Sequence, residues 1–331
     1  MAPKIAYDSS SDSLLHPAKN TVFFQGWEPE DFTRDDHGLL CAEMSRLAYA
    51  SPDVIRQALS CIGFTPMGLI GGEDLEERLK LAGTQGFIAH HSGLGLTVLA
   101  LRGTESDRIE DLFLDGNMLQ QERQGCSVHK GFAEGWDGVR ALVTEKLAGH
   151  SGKLLVTGHS LGAAIATLAA LETEPDALIT FGSPLVGNDK LASLLSPRTT
   201  VLHRYVDCCD LVTRVPPEKL DQEHVGQLIA ELAGTEGLGH LGAFFARPAF
   251  HTAAFDPLLH ALHLDPQYNH ICPPLYADRT GKLRPGISAK DIREDQDAAR
   301  RDYKKTASSA PLRDLADHAP INYVSIFTGR L

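Results

Sequence analysis

The feature that most constrains this chain is the pentapeptide Gly158-His159-Ser160-Leu161-Gly162, set between two apolar runs of different kinds. Lys153 to Thr157 reads as a short buried strand directly before it, and Ala163, Ala164, Ile165, Ala166, Leu168, Ala169 and Ala170 read as a helix directly after it. A G-x-S-x-G pattern at such a junction describes a serine on a sharp strand-to-helix turn. A turn this tight demands small neighbours, which Gly158 and Gly162 supply. It presents the Ser160 hydroxyl outward and leaves the Leu161 backbone N–H at a helix N-terminus, where a developing oxyanion is favoured. The competing reading is a serine that simply caps the helix.

The rest of the chain agrees with a strand-helix alternation. Leu39, Leu40, Met44, Leu47 and Ala48 share one helical face, and Pro52 opens a second helix that stops near Gly63. Phe87–His91 and Leu96–Leu101 form a hairpin signature around the turn residues 92–95. A helix over roughly 131–148 follows, then the strand before Ser160, the helix after it, and strands over Ala177–Phe181 and Thr200–Val206. Alternation of this kind predicts a mainly parallel central sheet with helices on both faces. Residues 1–35 form a polar N-terminal segment, and 36–331 read as one α/β domain with an insertion over about 218–305. Within that stretch the 225–264 run is apolar and poor in charge, 277–281 is a hairpin turn, and 287–305 is a charged helix.

Composition bounds the partners. Lys and Arg total 31 against 43 Asp and Glu, a net charge of −12, so nucleic acid is a poor partner for lack of clustered cations. The same charge disfavours a purely electrostatic hold on anionic lipid, so contact with a lipid surface must be apolar. The first 20 residues show no apolar leader, no uninterrupted apolar run is long enough to span a bilayer, and the six cysteines fit neither a disulfide framework nor a zinc site. Together these predict reduced thiols and a cytoplasmic protein, with export by a route lacking a cleavable leader left open. His260 and His263 stand at a spacing that suits a metal on a helix but lack further ligands, so no metal and no cofactor is expected.

A serine hydroxyl needs a histidine to take its proton, and the histidine needs a carboxylate to fix its tautomer. After the strand ending at Val206 the acid candidates are Asp207 and Asp210, and the later histidines are His224, His240, His251, His260, His263, His270 and His318.

Several motifs in order resemble the class 3 (fungal-lipase-like) lipases, members of the α/β-hydrolase superfamily. They are Arg102-Gly103-Thr104, Asp111-Leu112-Phe113-Leu114-Asp115, Val128-His129-Lys130-Gly131-Phe132, the pentapeptide at Ser160, Phe181-Gly182-Ser183-Pro184, and Asp210-Leu211-Val212 leading to Pro216-Pro217. Leu112 stands where that family usually carries tryptophan. The resemblance spans roughly residues 38–217 plus a short C-terminal stretch. It implies an α/β-hydrolase fold with the insertion lying between acid and base. It implies Asp210 as the acid, with Asp207 the fallback, and His318, shortly before Tyr323, as the base, with His270 next. It also implies the Thr104 N–H as a second oxyanion donor beside that of Leu161. The expected activity is hydrolysis of carboxylic esters with apolar acyl chains, with a phospholipase A1, a short-chain esterase and a silent binding module as alternatives. The 225–264 run is then a candidate lid or acyl-site lining that touches a lipid surface, with ordinary core packing as the competing reading.

Overall fold

The computed structural model describes residues 14–15, 35–70, 84–102, 120–216, 218, 267–306 and 317–328. Thr104, the 111–115 motif, the 225–264 run and the His260–His263 pair lie outside these residues. Eight strands among the described residues form one sheet: β1 (Thr65–Ile70), β2 (Gln85–His91), β3 (Leu96–Arg102), β6 (Lys153–His159), β7 (Ala177–Phe181), β8 (Val201–Asp207), β9 (Pro274–Ala277) and β10 (Leu283–Arg284), adjacent in that order. From β3 through β9 the pairing is parallel, while β1, β2 and β10 add antiparallel edges. A separate hairpin joins β4 (Gln120–Arg123) to β5 (Cys126–His129).

Two apolar cores flank the sheet, as a parallel sheet with both faces covered requires. On one face α3 (Lys130–Leu147) and α4 (Leu161–Thr173) pack through Phe132, Trp136, Val139, Ile165 and Leu168, beside α5 (Asp189–Leu195). On the other, α1 (Asp35–Leu47), α2 (Pro52–Cys61) and α7 (Pro320–Thr328) bury Leu40, Met44, Ile55, Leu59, Tyr323 and Val324. All of Leu161–Leu171 is buried, so α4 is a central helix with no solvent face. Pro52 sits at the start of α2 after an extended Ser51, where its missing N–H costs nothing.

The expected hairpin at 277–281 is present. Asp278 Oδ1 accepts from Thr280 N at 2.9 Å and from Lys282 N at 3.2 Å, closing the turn between β9 and β10. β9 then joins β8 in parallel, so this part of the 218–305 stretch extends the central sheet. The charged segment after it is α6 (Ala289–Thr306). β1 was invisible to pattern: Pro66 and Gly68 interrupt its alternation, and its register shifts between those residues. Such a strand survives at an edge, where a missing N–H is tolerated. Among the described residues no helix is long and apolar enough to cross a membrane.

Candidate active site

Ser160 lies between β6 and α4 with φ 60° and ψ −131°, a conformation that a non-glycine residue adopts only when its surroundings impose it. The surroundings are backbone. A Cβ on Gly158 would stand 2.3 Å from the Gly162 carbonyl oxygen, and one on Gly162 would stand 2.2 Å from that of Leu101. Strand, elbow and helix therefore touch with no room for a side chain at either position. Ser160 N donates to Phe181 O at 3.0 Å, tying the elbow to the end of β7. The hydroxyl makes no capping bond to α4, which removes the helix-cap reading. Leu161 N belongs to the first turn of α4, whose N–H groups have no intrahelical acceptor.

Asp210 is fully buried after β8 and opens a short 3-10 turn, Leu211–Arg214. Its Oδ1 accepts from Val212 N at 2.9 Å, and its Oδ2 accepts from Tyr323 Oη at 2.5 Å. His318 Nδ1 lies 3.0 Å from Oδ1 and 2.9 Å from Oδ2. A carboxylate accepts, so Nδ1 carries the proton and Nε2 is left as the basic nitrogen. Nε2 is buried and makes no hydrogen bond. No hydrogen bond joins this ring to the Ser160 hydroxyl; the two segments are set side by side through Phe181, whose carbonyl holds Ser160 N, and the next residue, Gly182, which packs against the His318 ring. Gly182, next to Phe181, completes the packing. At φ +57° it leaves no space for a Cβ, which would fall 2.7 Å from Asp210 Oδ2 and 3.0 Å from His318 Nδ1.

The fallback residues stand elsewhere. Asp207 enters through its backbone, giving N–H to Tyr323 Oη at 3.2 Å and accepting from Asp210 N at 2.8 Å. His270 Nε2 donates to Thr213 O at 2.8 Å, and burial together with the Arg204 charge pushes its pKa well below the ordinary histidine range. His129 Nδ1 accepts from Phe132 N as the cap of α3, and burial lowers its pKa to about 3.

Further residues surround the pair. His159 Nε2 meets His318 O at 2.7 Å, and its Nδ1 meets Tyr49 Oη at 2.8 Å. Burial of the Tyr323 phenol, reinforced by Asp210 beside it, pushes its pKa well above the ordinary range, so it remains a donor. Cys209 N donates to Asp317 Oδ2 at 2.8 Å, linking the Asp210 turn to the His318 segment. Cys208, Cys209 and Asp317 bring two thiols and a carboxylate within 4.8 Å of one another, a juxtaposition of ligand types that cysteine spacing did not signal. The thiols donate within the fold, Cys209 Sγ to Gln296 O at 3.6 Å and Cys208 Sγ to Asp295 Oδ2 at 3.7 Å. The sequence signals for this shell were an aromatic five residues after His318 and consecutive cysteines before Asp210.

Residues 98–220 match the family described as Lipase (class 3). A secreted mono- and diacylglycerol lipase 1 of Fusarium solani is 40% identical over 109 residues, 30% of this chain and 33% of that protein. A secreted mono- and diacylglycerol lipase A of Penicillium cyclopium is 32% identical over 155 residues, 43% of this chain and 50% of that protein. The chain thus spans a third to a half of these relatives. The crystal structure of a mono- and diacylglycerol lipase from Aspergillus oryzae superposes with a TM-score of 0.41 at 28% identity, covering 49% of this chain and 61% of that one. The relatives also overturn an expectation. A polar start and unpaired cysteines argue for the cytoplasm, whereas both relatives are named as secreted, which points to an extracellular setting. A domain of this size can bury enough core to fold without cross-links, so its free thiols say little about compartment. The match to the class 3 lipase family thus falls on the segment that carries both Ser160 and Asp210.

Proposed function

We propose that this protein is a serine hydrolase that cleaves carboxylic esters with apolar acyl chains through an acyl-enzyme on Ser160. The observation that carries this reading is the strained Ser160 elbow beside a buried His318–Asp210 pair whose Nε2 is unoccupied. Ser160 Oγ attacks the ester carbonyl as His318 Nε2 takes its proton. His318 then returns the proton to the leaving alcohol, and water cleaves the acyl-enzyme by the same route. Asp210 holds the Nδ1–H tautomer and balances the imidazolium that forms. The Leu161 N–H, with Thr104 as its partner, receives the oxyanion. Two such donors lower the barrier by about 3 kcal/mol each. Apolar acyl chains follow from the family and from relatives named as mono- and diacylglycerol lipases.

The test is hydrolysis of chromogenic esters from two-carbon to sixteen-carbon acyl chains by wild type and Ser160→Ala. Wild type is expected to prefer the longer chains, and Ser160→Ala to lose nearly all turnover while folding normally. A variant as active as wild type refutes the nucleophile. A preference for the shortest chains replaces the lipase reading with a short-chain esterase. Turnover of a phospholipid at its sn-1 ester in place of neutral glycerides replaces it with a phospholipase A1. A wild type that hydrolyses none of these leaves the fold as a binding module.

A further inference from the structure

His159 is the residue of the pentapeptide that the proposed mechanism leaves without a task, yet both of its ring nitrogens are engaged. Nε2 lies 2.7 Å from the His318 carbonyl oxygen. A carbonyl only accepts, so Nε2 carries the proton. Nδ1 is then bare and accepts from Tyr49 Oη at 2.8 Å. The ring is buried, packs at 4.5 Å and 35° against the His318 ring, and meets the Tyr323 ring edge-on at 5.7 Å. The Arg102 guanidinium lies 5.6 Å over the Tyr49 ring. His318 is thereby held from three sides: its ring by Asp210, its preceding residue by Cys209 N, and its own carbonyl by His159.

We propose that His159, with its tautomer set by Tyr49, is a positioning residue that fixes the main chain of His318, so that Nδ1 stays on Asp210 and Nε2 stays available to the Ser160 hydroxyl. The proposal rests on the reading of Ser160, Asp210 and His318 given above. His159 contributes no proton transfer of its own. Burial and the adjacent His318 push its pKa well below the ordinary histidine range, so it works as a neutral strut. The arrangement also accounts for a polar ring buried beside the nucleophile, since its two nitrogens are satisfied by the His318 carbonyl and the Tyr49 hydroxyl.

The test compares His159→Leu, His159→Gln and Tyr49→Phe in steady-state hydrolysis and thermal unfolding, with Ser160→Ala in parallel. Leucine removes the donor. Glutamine places an amide N–H near the position of Nε2–H. Tyr49→Phe leaves the ring but frees its tautomer. His159→Leu is expected to lower kcat about 100-fold with KM within about twofold, the scale of a base displaced by about 1 Å. His159→Gln is expected to recover at least tenfold of that loss, and Tyr49→Phe to lower kcat about tenfold. Nitrogen-15 NMR of labelled histidine is expected to show His159 as the Nε2–H tautomer in wild type. Wild-type kcat in His159→Leu overturns the proposal, as do equal kcat losses in the leucine and glutamine variants that only track a fall in Tm. If the leucine variant does not fold, wild-type kcat in Tyr49→Phe overturns it. An active Ser160→Ala sinks the underlying mechanism instead, so the two failures are separable.

Discussion

Asp210 is a carboxylate with no exposure to water, satisfied by the Val212 N–H, the Tyr323 hydroxyl and the His318 ring. A buried carboxylate is tolerated only when its oxygens are hydrogen-bonded, and these bonds also fix its orientation toward the His318 ring. Asp210→Asn keeps the shape but turns an amide N–H toward Nδ1, favouring the wrong tautomer. Its kcat is expected to fall about 10⁴-fold with little change in Tm. Tyr323→Phe removes one donor to the carboxylate and leaves Asp207 N without its acceptor, so urea unfolding is expected to register a loss of about 1–3 kcal/mol. Gly182→Ala drives a Cβ into Asp210 Oδ2 and His318 Nδ1 from a left-handed backbone. It is expected to lower kcat by about 100-fold or more, well beyond what its Tm shift explains.

Among the elements, the strand–elbow–helix unit of β6, Ser160 and α4 carries the most local information. Small residues on every side of α4 let it sit against β3, β6 and β7, and the two glycines let it start directly on the strand. Gly162→Ala therefore sets a side chain against the Leu101 carbonyl, where neither backbone has room to retreat. Failure to fold, read as insoluble protein or a broad unfolding transition, is the expected outcome. Leu168→Ala in the same helix instead leaves a cavity in the core and is expected to cost about 2–5 kcal/mol in urea unfolding while the elbow persists. Helices with a clean apolar stripe, and strands that are continuous apolar runs, were legible to within a few residues. β1, the β4–β5 hairpin and α5 were not. A proline-bearing edge strand and a four-residue hairpin strand are fixed by their neighbours, and α5 spans only seven residues, too few for the helical spacing of Leu191, Leu194 and Leu195 to stand out from the loops around it.

For the whole molecule, the two cores lie on opposite faces of the sheet and β6 serves both, Leu154 and Val156 with α4 in the first and Leu155 with α1 and α7 in the second. Burial has a consequence for acid stability. His129 and His159 are buried and His270 is half-buried, and desolvation lowers the pKa of each, so all three rings are held neutral. The unfolded chain then binds protons that the folded one refuses. Stability is complete above the ordinary histidine pKa of about 6.5 and falls as pH drops below it. For His129 the loss continues down to about pH 3. Each histidine contributes about 1.4 kcal/mol per pH unit within its window. Urea midpoints measured from pH 8 to pH 4 are expected to decline steadily, with a shallower slope in His129→Phe. A midpoint flat over that range contradicts the neutral state of these rings.

The sequence by itself determined the elbow, the alternating architecture and a short set of acids and bases, because strain relief by glycine and burial periodicity are properties of adjacent residues. Which carboxylate meets which imidazole was decided by tertiary structure. Asp210 and His318 stand 108 positions apart, and only the docking of α7 beside β8 and α1 brings that histidine, and none of the other described ones, onto the Asp210 carboxylate. The Tyr49–His159 support of the base belongs wholly to that level, since its partners come from α1's exit, the elbow strand and the far end of the chain. No local pattern records a contact whose existence depends on how separate faces pack.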